Sequence, residues 1–488
     1  MSRRPRREAW VVAAVATAVY LLVAVTQWRS WYSPSWDLAI FTQLAKAYAH
    51  LEAPIVPIKG PGFNLLGDHF HPILVLLGPV YRLFPSGLTL LVVQALLVGV
   101  STWPVTALAV RWLGRRPGVL VAVGYALSFG LQGAVRTQFH EIAFALPLLT
   151  FGLAALLESR WRAAVVWLGL VVFVKEDLGL LVAVLGLIIW RRGATREGIG
   201  LAAWGAGWFL LATTVILPAL NPRGQWDYTD NLSVGDALGD PLGTLAAFLG
   251  PGEKVVTVLL LVLAAGVVGL RSPILLAALP TLAWRFLGDV SFYWTWLWHY
   301  DAVLMPLAAA ALLDAVGPRA GVSRGRDPAP AAEDTEDTAD TADAVVRSAP
   351  DRWSHRTRTR VAVTGTLLAV VLTAPDLPVV GLLDAETYRV PSRAEGAREV
   401  LELIPEGATV ASDIALLAYL VPTTTTLWSG TADNPAADYY VIDREGSTWG
   451  DNPPADAASY AEGKHPGTSY EVVLDSHGYQ VAQRATDG

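Results

Sequence analysis

Asp68, His69 and His71 stand together in GDHFHP, and a carboxylate with two imidazoles is an ordinary donor set for a divalent metal. The same side chains at a membrane interface can instead hydrogen-bond backbone or lipid, so spacing leaves both readings open. Lys175, Glu176 and Asp177 form a second knot in KEDLG. They can neutralise one another as a structural ion pair. Alternatively the Lys grips a phosphate as a point charge while the acids position it. Asp37 lies at the start of WDLAIFTQ, as a helix cap or as a catalytic carboxylate; Gln43 closes that motif. RTQFHE brings Arg136, His140 and Glu141 together, and Glu141 also suits a helix N-terminus. In WHYD, an interfacial aromatic belt accounts for Trp298 but less naturally for His299 beside Tyr300.

The elements that hold these motifs are membrane helices. Of 488 residues, 53% are hydrophobic and only 16% charged, against about 25% charged in soluble domains. A water-soluble protein of this composition could not cover its apolar surface, whereas lipid solvates it. The 19 Trp fit a membrane interface. Cysteine is absent, which excludes disulfide and thiolate chemistry. No basic face is interleaved with aromatics, so nucleic acid is not an expected partner. Arg3, Arg4, Arg6 and Arg7 precede an apolar run from Trp10 to Thr26. No small-residue cleavage site follows, so the run reads as a retained first helix with its N-terminus in the cytoplasm.

Apolar runs and the placement of Arg and Lys then thread the chain through the cytoplasmic membrane roughly eleven times. After the first helix comes an outer segment, 28–86, with an amphipathic stretch from Asp37 to His50 and a short apolar stretch from Ile73 to Phe84. Further helices are expected near 87–110, 117–132, 142–157, 199–218, 255–270, 274–287, 301–317 and 361–375. Residues 163–190 read as two short helices rather than one, because a single span would expose the charged triplet to lipid. The expected organisation is a transmembrane region over 1–317, an acidic disordered cytoplasmic loop over 318–358, and a last helix over 359–375. An extracytoplasmic α/β domain fills 376–488, with strands near Thr409–Ala411, TTTTLW and ADYYVID and a hairpin at the end. This threading puts all five polar motifs at the outer face.

Those motifs carry a resemblance. WDLAIFTQ, DHFHPIL, Gln94, QFHEIAF, KEDLGL and HYDAVLMPL, with IPEGATVASD and ADYYVID in the tail, resemble the bacterial and archaeal membrane-protein family catalogued as domain of unknown function 2079. The acidic insert at 328–344 looks like a lineage-specific extension. That family is similar in turn to the GT-C superfamily of polytopic glycosyltransferases. The resemblance implies an all-α bundle with a soluble outer domain and a sugar donor carried on polyprenyl phosphate. It implies an acidic residue in the first outer loop, often the catalytic base, and Asp37 occupies that place. Lys175, Arg136 and Arg285 would then offset the charge of the leaving phosphate. The histidines would bind phosphate, sugar or a divalent metal. Two other functions fit buried charge in a membrane: a transporter or lipid flippase, and a scaffold presenting the tail domain.

Overall fold

A computed structural model describes residues 3–226, 243, 250–288, 290–318, 353–449 and 452–485. Residues 319–352 of the expected disordered loop and most of the polar loop before Lys254 lie outside these residues, whereas the end of that expected loop is the start of the helix His355–Thr373.

The chain is mostly helical, with one small sheet near its C-terminus. Among the described residues, four helices are long and apolar enough to cross a membrane: Arg6–Arg29, Gly87–Leu113, Arg115–Arg136 and Thr195–Leu220. A fifth crossing is formed if Ser291–Asp301 and Leu304–Val316, bent by 68°, act as one span. Leu210, Leu211 and Val215 face outward on Thr195–Leu220. Apolar faces of this kind need lipid around them, as a multi-pass membrane protein has.

The expected eleven crossings are not reproduced by helix length. The remaining apolar segments fold as shorter helices: Pro72–Leu83, Glu141–Leu157, Trp161–Phe173, Leu178–Arg191 and Pro273–Leu287. Their brevity has local causes. Pro72 and Pro273 stand at the first position of 3₁₀ turns, and each turn leads into a short helix. Residues 161–191 do form two helices, and Lys175, Glu176 and Asp177 occupy the break between them.

The sheet has five strands: β1 (Thr409–Ser412), β2 (Thr425–Trp428), β3 (Tyr439–Asp443), β4 (Tyr470–Ser476) and β5 (Tyr479–Arg484). Their order is β2-β1-β3-β5-β4. β1 runs parallel to both its neighbours and β5 antiparallel to both of its own. β4 and β5 are joined by His477 and Gly478, both at positive φ, as a two-residue hairpin turn requires.

This domain sits on the helical region through aromatic and polar contacts. Tyr419 stacks on Trp28 at 4.0 Å and on Trp31 at 4.6 Å, and its hydroxyl donates to the Trp28 carbonyl. Lys46 donates to the carbonyls of Val421 and Thr424. Trp36, beside Asp37, meets Trp428 edge-on at 4.6 Å.

Candidate functional site

The residues around Asp37 are fixed by short-range chain geometry. Asp37 begins the helix Asp37–Ala49, and its backbone N–H lies 3.4 Å from Ser35 Oγ. Trp36 holds the cap position and no side chain caps that end. The cap reading of Asp37 therefore fails, because its carboxylate points elsewhere: Oδ2 lies 3.5 Å from His140 Nε2. Burial alone would raise the Asp37 pKa, but its contacts with His140 and Ser35 outweigh that and hold it below the ordinary carboxylate range.

His140 is placed by Gln94, whose side chain accepts from the His140 backbone N–H at 3.1 Å and donates to Ala134. Gln138 in the same turn takes a φ of 68°. The His140 ring stacks on His299 at 3.7 Å. His299 in turn sits on the loop leading to Asp301, which is anchored by a fully buried bidentate pair. Arg285 donates to Asp301 Oδ1 at 2.7 Å and to Oδ2 at 3.2 Å, and also to the carbonyls of Tyr293 and Thr295. Helix Phe129–Arg136 approaches this loop so closely that a Cβ on Gly130 would lie 2.5 Å from the Asp301 oxygen. One on Gly133 would lie 2.7 Å from the Trp298 oxygen. Only glycine permits that approach.

The charged triplet reaches three other parts of the chain. Lys175 pairs with Glu141 at 3.1 Å. Glu176 accepts from His69 at 2.8 Å and from the Phe70 backbone N–H at 3.0 Å. Asp177 accepts from the Trp284 indole at 3.0 Å. The triplet is thus not a self-contained ion pair. Burial and Lys175 oppose protonation of His69, but Glu176 favours it more, so its pKa lies above the usual imidazole value. His71 is buried and pushed down to about 4. Glu141 also begins the helical turn Glu141–Phe144.

These side chains surround one cavity of about 380 Å³. Asp37, Asp68, His69, His71, His140, Glu141, Lys175, Glu176, Asp177, His299 and Tyr300 all line it. Phe209, Trp284, Phe292 and Tyr293 add aromatic surface to the same lining. Such a surface suits a sugar face or an isoprenoid chain. Residues from six separate stretches of sequence therefore meet in one place.

Four expectations need correction. Gln43 is not at the cavity: its amide donates to the Thr426 carbonyl and accepts from the Ile58 N–H, tying the helical region to β2. Arg136 lines a different cavity and donates to the Leu297 carbonyl. Arg285 is saturated by Asp301 and does not face the site. The metal set Asp68, His69 and His71 does not converge either. Asp68 turns to Lys59 at 3.1 Å and His69 to Glu176. Among the described residues no group of three or more His, Cys, Asp or Glu is placed to hold a metal.

Three site residues went unremarked in the sequence. Lys59 lines the cavity, pairs with Asp68 and lies 5.2 Å over the Trp36 ring. It had no signal beyond being one of four basic residues in the outer segment, with Arg29, Lys46 and Arg82. Trp284 and Tyr293 had no signal beyond being aromatic in an aromatic region.

The whole architecture is similar to the crystal structure of ArnT from Cupriavidus metallidurans bound to undecaprenyl phosphate. The likeness covers 98% of each chain at a TM-score of 0.51 and 13% identity. At that identity it shows the fold, and the fold is the one the sequence motifs implied. No curated protein matches the chain. From residue 28 to residue 424 the sequence matches a single family, and the chain accordingly belongs to the family described as predicted membrane protein (DUF2079).

Proposed function

We propose that this protein is a membrane glycosyltransferase that moves a sugar from a polyprenyl-phosphate donor to an acceptor hydroxyl at the outer face of the cytoplasmic membrane. The observation that carries this reading is Asp37, held ionised beside His140 at the edge of a cavity with two lysines and aromatic surface. The ArnT-like fold supports it, because that relative was crystallised with a polyprenyl phosphate. In the proposed topology residues 1–317 form the membrane region with an inner N-terminus. Residues 318–358 are cytoplasmic, 359–375 form the last span, and 376–488 lie outside.

In the reaction, Asp37 Oδ2 takes the proton of the acceptor hydroxyl. The acceptor oxygen bonds to the anomeric carbon as the bond from that carbon to the phosphate oxygen breaks. The electron pair leaves with the polyprenyl phosphate. Lys175 and Lys59 offset the negative charge that grows on that phosphate. His69 and His71 supply hydrogen bonds to it or to the sugar.

Native mass spectrometry of gently extracted protein tests the donor class: a co-purifying polyprenyl-phosphate lipid is expected, and recovery of none would sink it. Transfer from a radiolabelled polyprenyl-phosphate sugar tests the base, since Asp37→Asn with full activity would remove Asp37 from that role.

A further inference from the structure

A second cavity of about 360 Å³ adjoins the first, and Trp298 lines both. Two more stretches of chain are shared between them. Tyr32 and Pro34 face the second cavity, while Ser35 and Asp37 face the first. Arg136 and Gln138 face the second, while His140 and Glu141 face the first. Trp298 and these two stretches of backbone separate the cavities, with Asp37 and His140 on the side of the first.

The second cavity has its own polar chemistry. Gln27 and Gln138 each direct their amide nitrogen to backbone carbonyls, of Val135 at 2.9 Å and of Tyr32 at 3.2 Å. Their side-chain oxygens are buried and accept no hydrogen bond among the described residues. Gln138 is only 2% exposed, so its oxygen has no recourse to bulk water. A buried acceptor left without a donor is destabilising. Arg136 is exposed, is paired with no carboxylate among the described residues, and makes one hydrogen bond, 3.3 Å to the Leu297 carbonyl. The cavity thus presents acceptors for hydroxyl groups and a guanidinium fork for a planar or tetrahedral anion.

We propose that this cavity is the acceptor subsite and that it takes a sugar carrying a phosphate or carboxylate, its hydroxyls on Gln27 and Gln138 and its anion on Arg136. Calling it an acceptor site rests on the transferase reading; recognition of an acidic sugar rests on the cavity alone.

Binding to the full-length, detergent-purified chain is the test, with glucose 6-phosphate and glucose as probes in isothermal titration. The phosphorylated sugar should bind at least about tenfold more tightly, and Arg136→Gln should abolish that preference. Arg136→Lys, which keeps the charge but loses the fork, should restore part of it. Equal binding of the two sugars, or an unchanged preference in Arg136→Gln, overturns the proposal. Repeating the titration in phosphatidylglycerol and phosphatidylcholine nanodiscs separates two sources of the anion. Competition by phosphatidylglycerol assigns a lipid headgroup, and its absence assigns a soluble acidic sugar. Polyprenyl phosphate retained by Arg136→Gln shows that the two cavities bind independently. If wild-type protein carries no such lipid yet still prefers glucose 6-phosphate, the subsite stands and the transferase reading falls.

Discussion

The C-terminal domain and the helical region each bury a cluster of carboxylates, and the two clusters are finished differently. In the domain, both oxygens of Asp413 and of Asp443 are used. Asp413 accepts from the backbone of Asp443 and Ala415 and from the Trp449 indole. Asp443 accepts from Arg393 and from the Glu445 backbone. In the cavity, His71 Nδ1, His299 Nδ1 and Asp177 Oδ1 are buried without a hydrogen-bond partner among the described residues. A fold tolerates such atoms at about 1–3 kcal/mol each. The finished cluster locks two strand ends together; the unfinished one leaves atoms for a ligand to meet.

The sharpest way to break that comparison is to swap roles. Asp37→Asn keeps shape and removes the base, so transfer should fall about 10²- to 10⁴-fold while the thermal unfolding midpoint stays put. An equal loss of stability would place Asp37 with the structural acids instead. Arg285→Met should do the reverse. It strands Asp301 in a fully buried position, which costs roughly 3–5 kcal/mol. Arg285→Met combined with Asp301→Leu should recover most of that loss in detergent unfolding curves. No recovery would mean that the pair acts through the Tyr293 and Thr295 carbonyls rather than through charge.

Asp413 gives the C-terminal domain a pH signature of its own. Burial pushes its carboxyl up to about 7, against the hydrogen bonds it accepts. The folded domain then holds a proton that the unfolded chain releases near the ordinary carboxylate pKa. The unfolded state binds fewer protons between about pH 4 and 7, so stability falls as pH rises across that window. Protection factors at β1 and β3, with the intrinsic pH dependence of amide exchange divided out, should be larger at pH 5.5 than at pH 8, and Asp413→Asn should flatten the difference. Smaller protection at the lower pH would contradict the assignment.

The sequence made the cavity legible because ionisable residues in an apolar background are conspicuous. His69, Lys175 and His299 needed no structure to be singled out. Arg136 and Gln43 carried the same signal and belong elsewhere. A motif fixes where its backbone lies, but adjacent side chains leave that backbone in different directions. His140 and Arg136 are four residues apart and face different cavities. The strands of the tail were legible from their β-branched and aromatic runs. The number of crossings was not, because hydropathy sums apolar residues and is blind to a 3₁₀ turn or a proline that cuts a helix short. Lys59 and Trp284 escaped because their role comes from partners 9 and 107 residues away along the chain.

The contact between Trp36 and Trp428 joins the two regions, and it offers the smallest and most discriminating effect. Trp36 lines the cavity next to Asp37, with Lys59 over its ring and the edge-on Trp428 from β2 against it. An aromatic pair of this geometry contributes about 0.5–1.5 kcal/mol. Trp428→Ala removes that brace without touching any cavity residue. If the C-terminal domain only caps the helical region, the variant lowers the unfolding midpoint slightly and leaves turnover alone. If the domain also positions the catalytic loop, transfer should fall by roughly two- to tenfold with the energy of the lost pair, and Trp428→Phe should restore most of it. Turnover unchanged in Trp428→Ala would confine the domain to a structural role and separate the finished cluster from the unfinished one entirely.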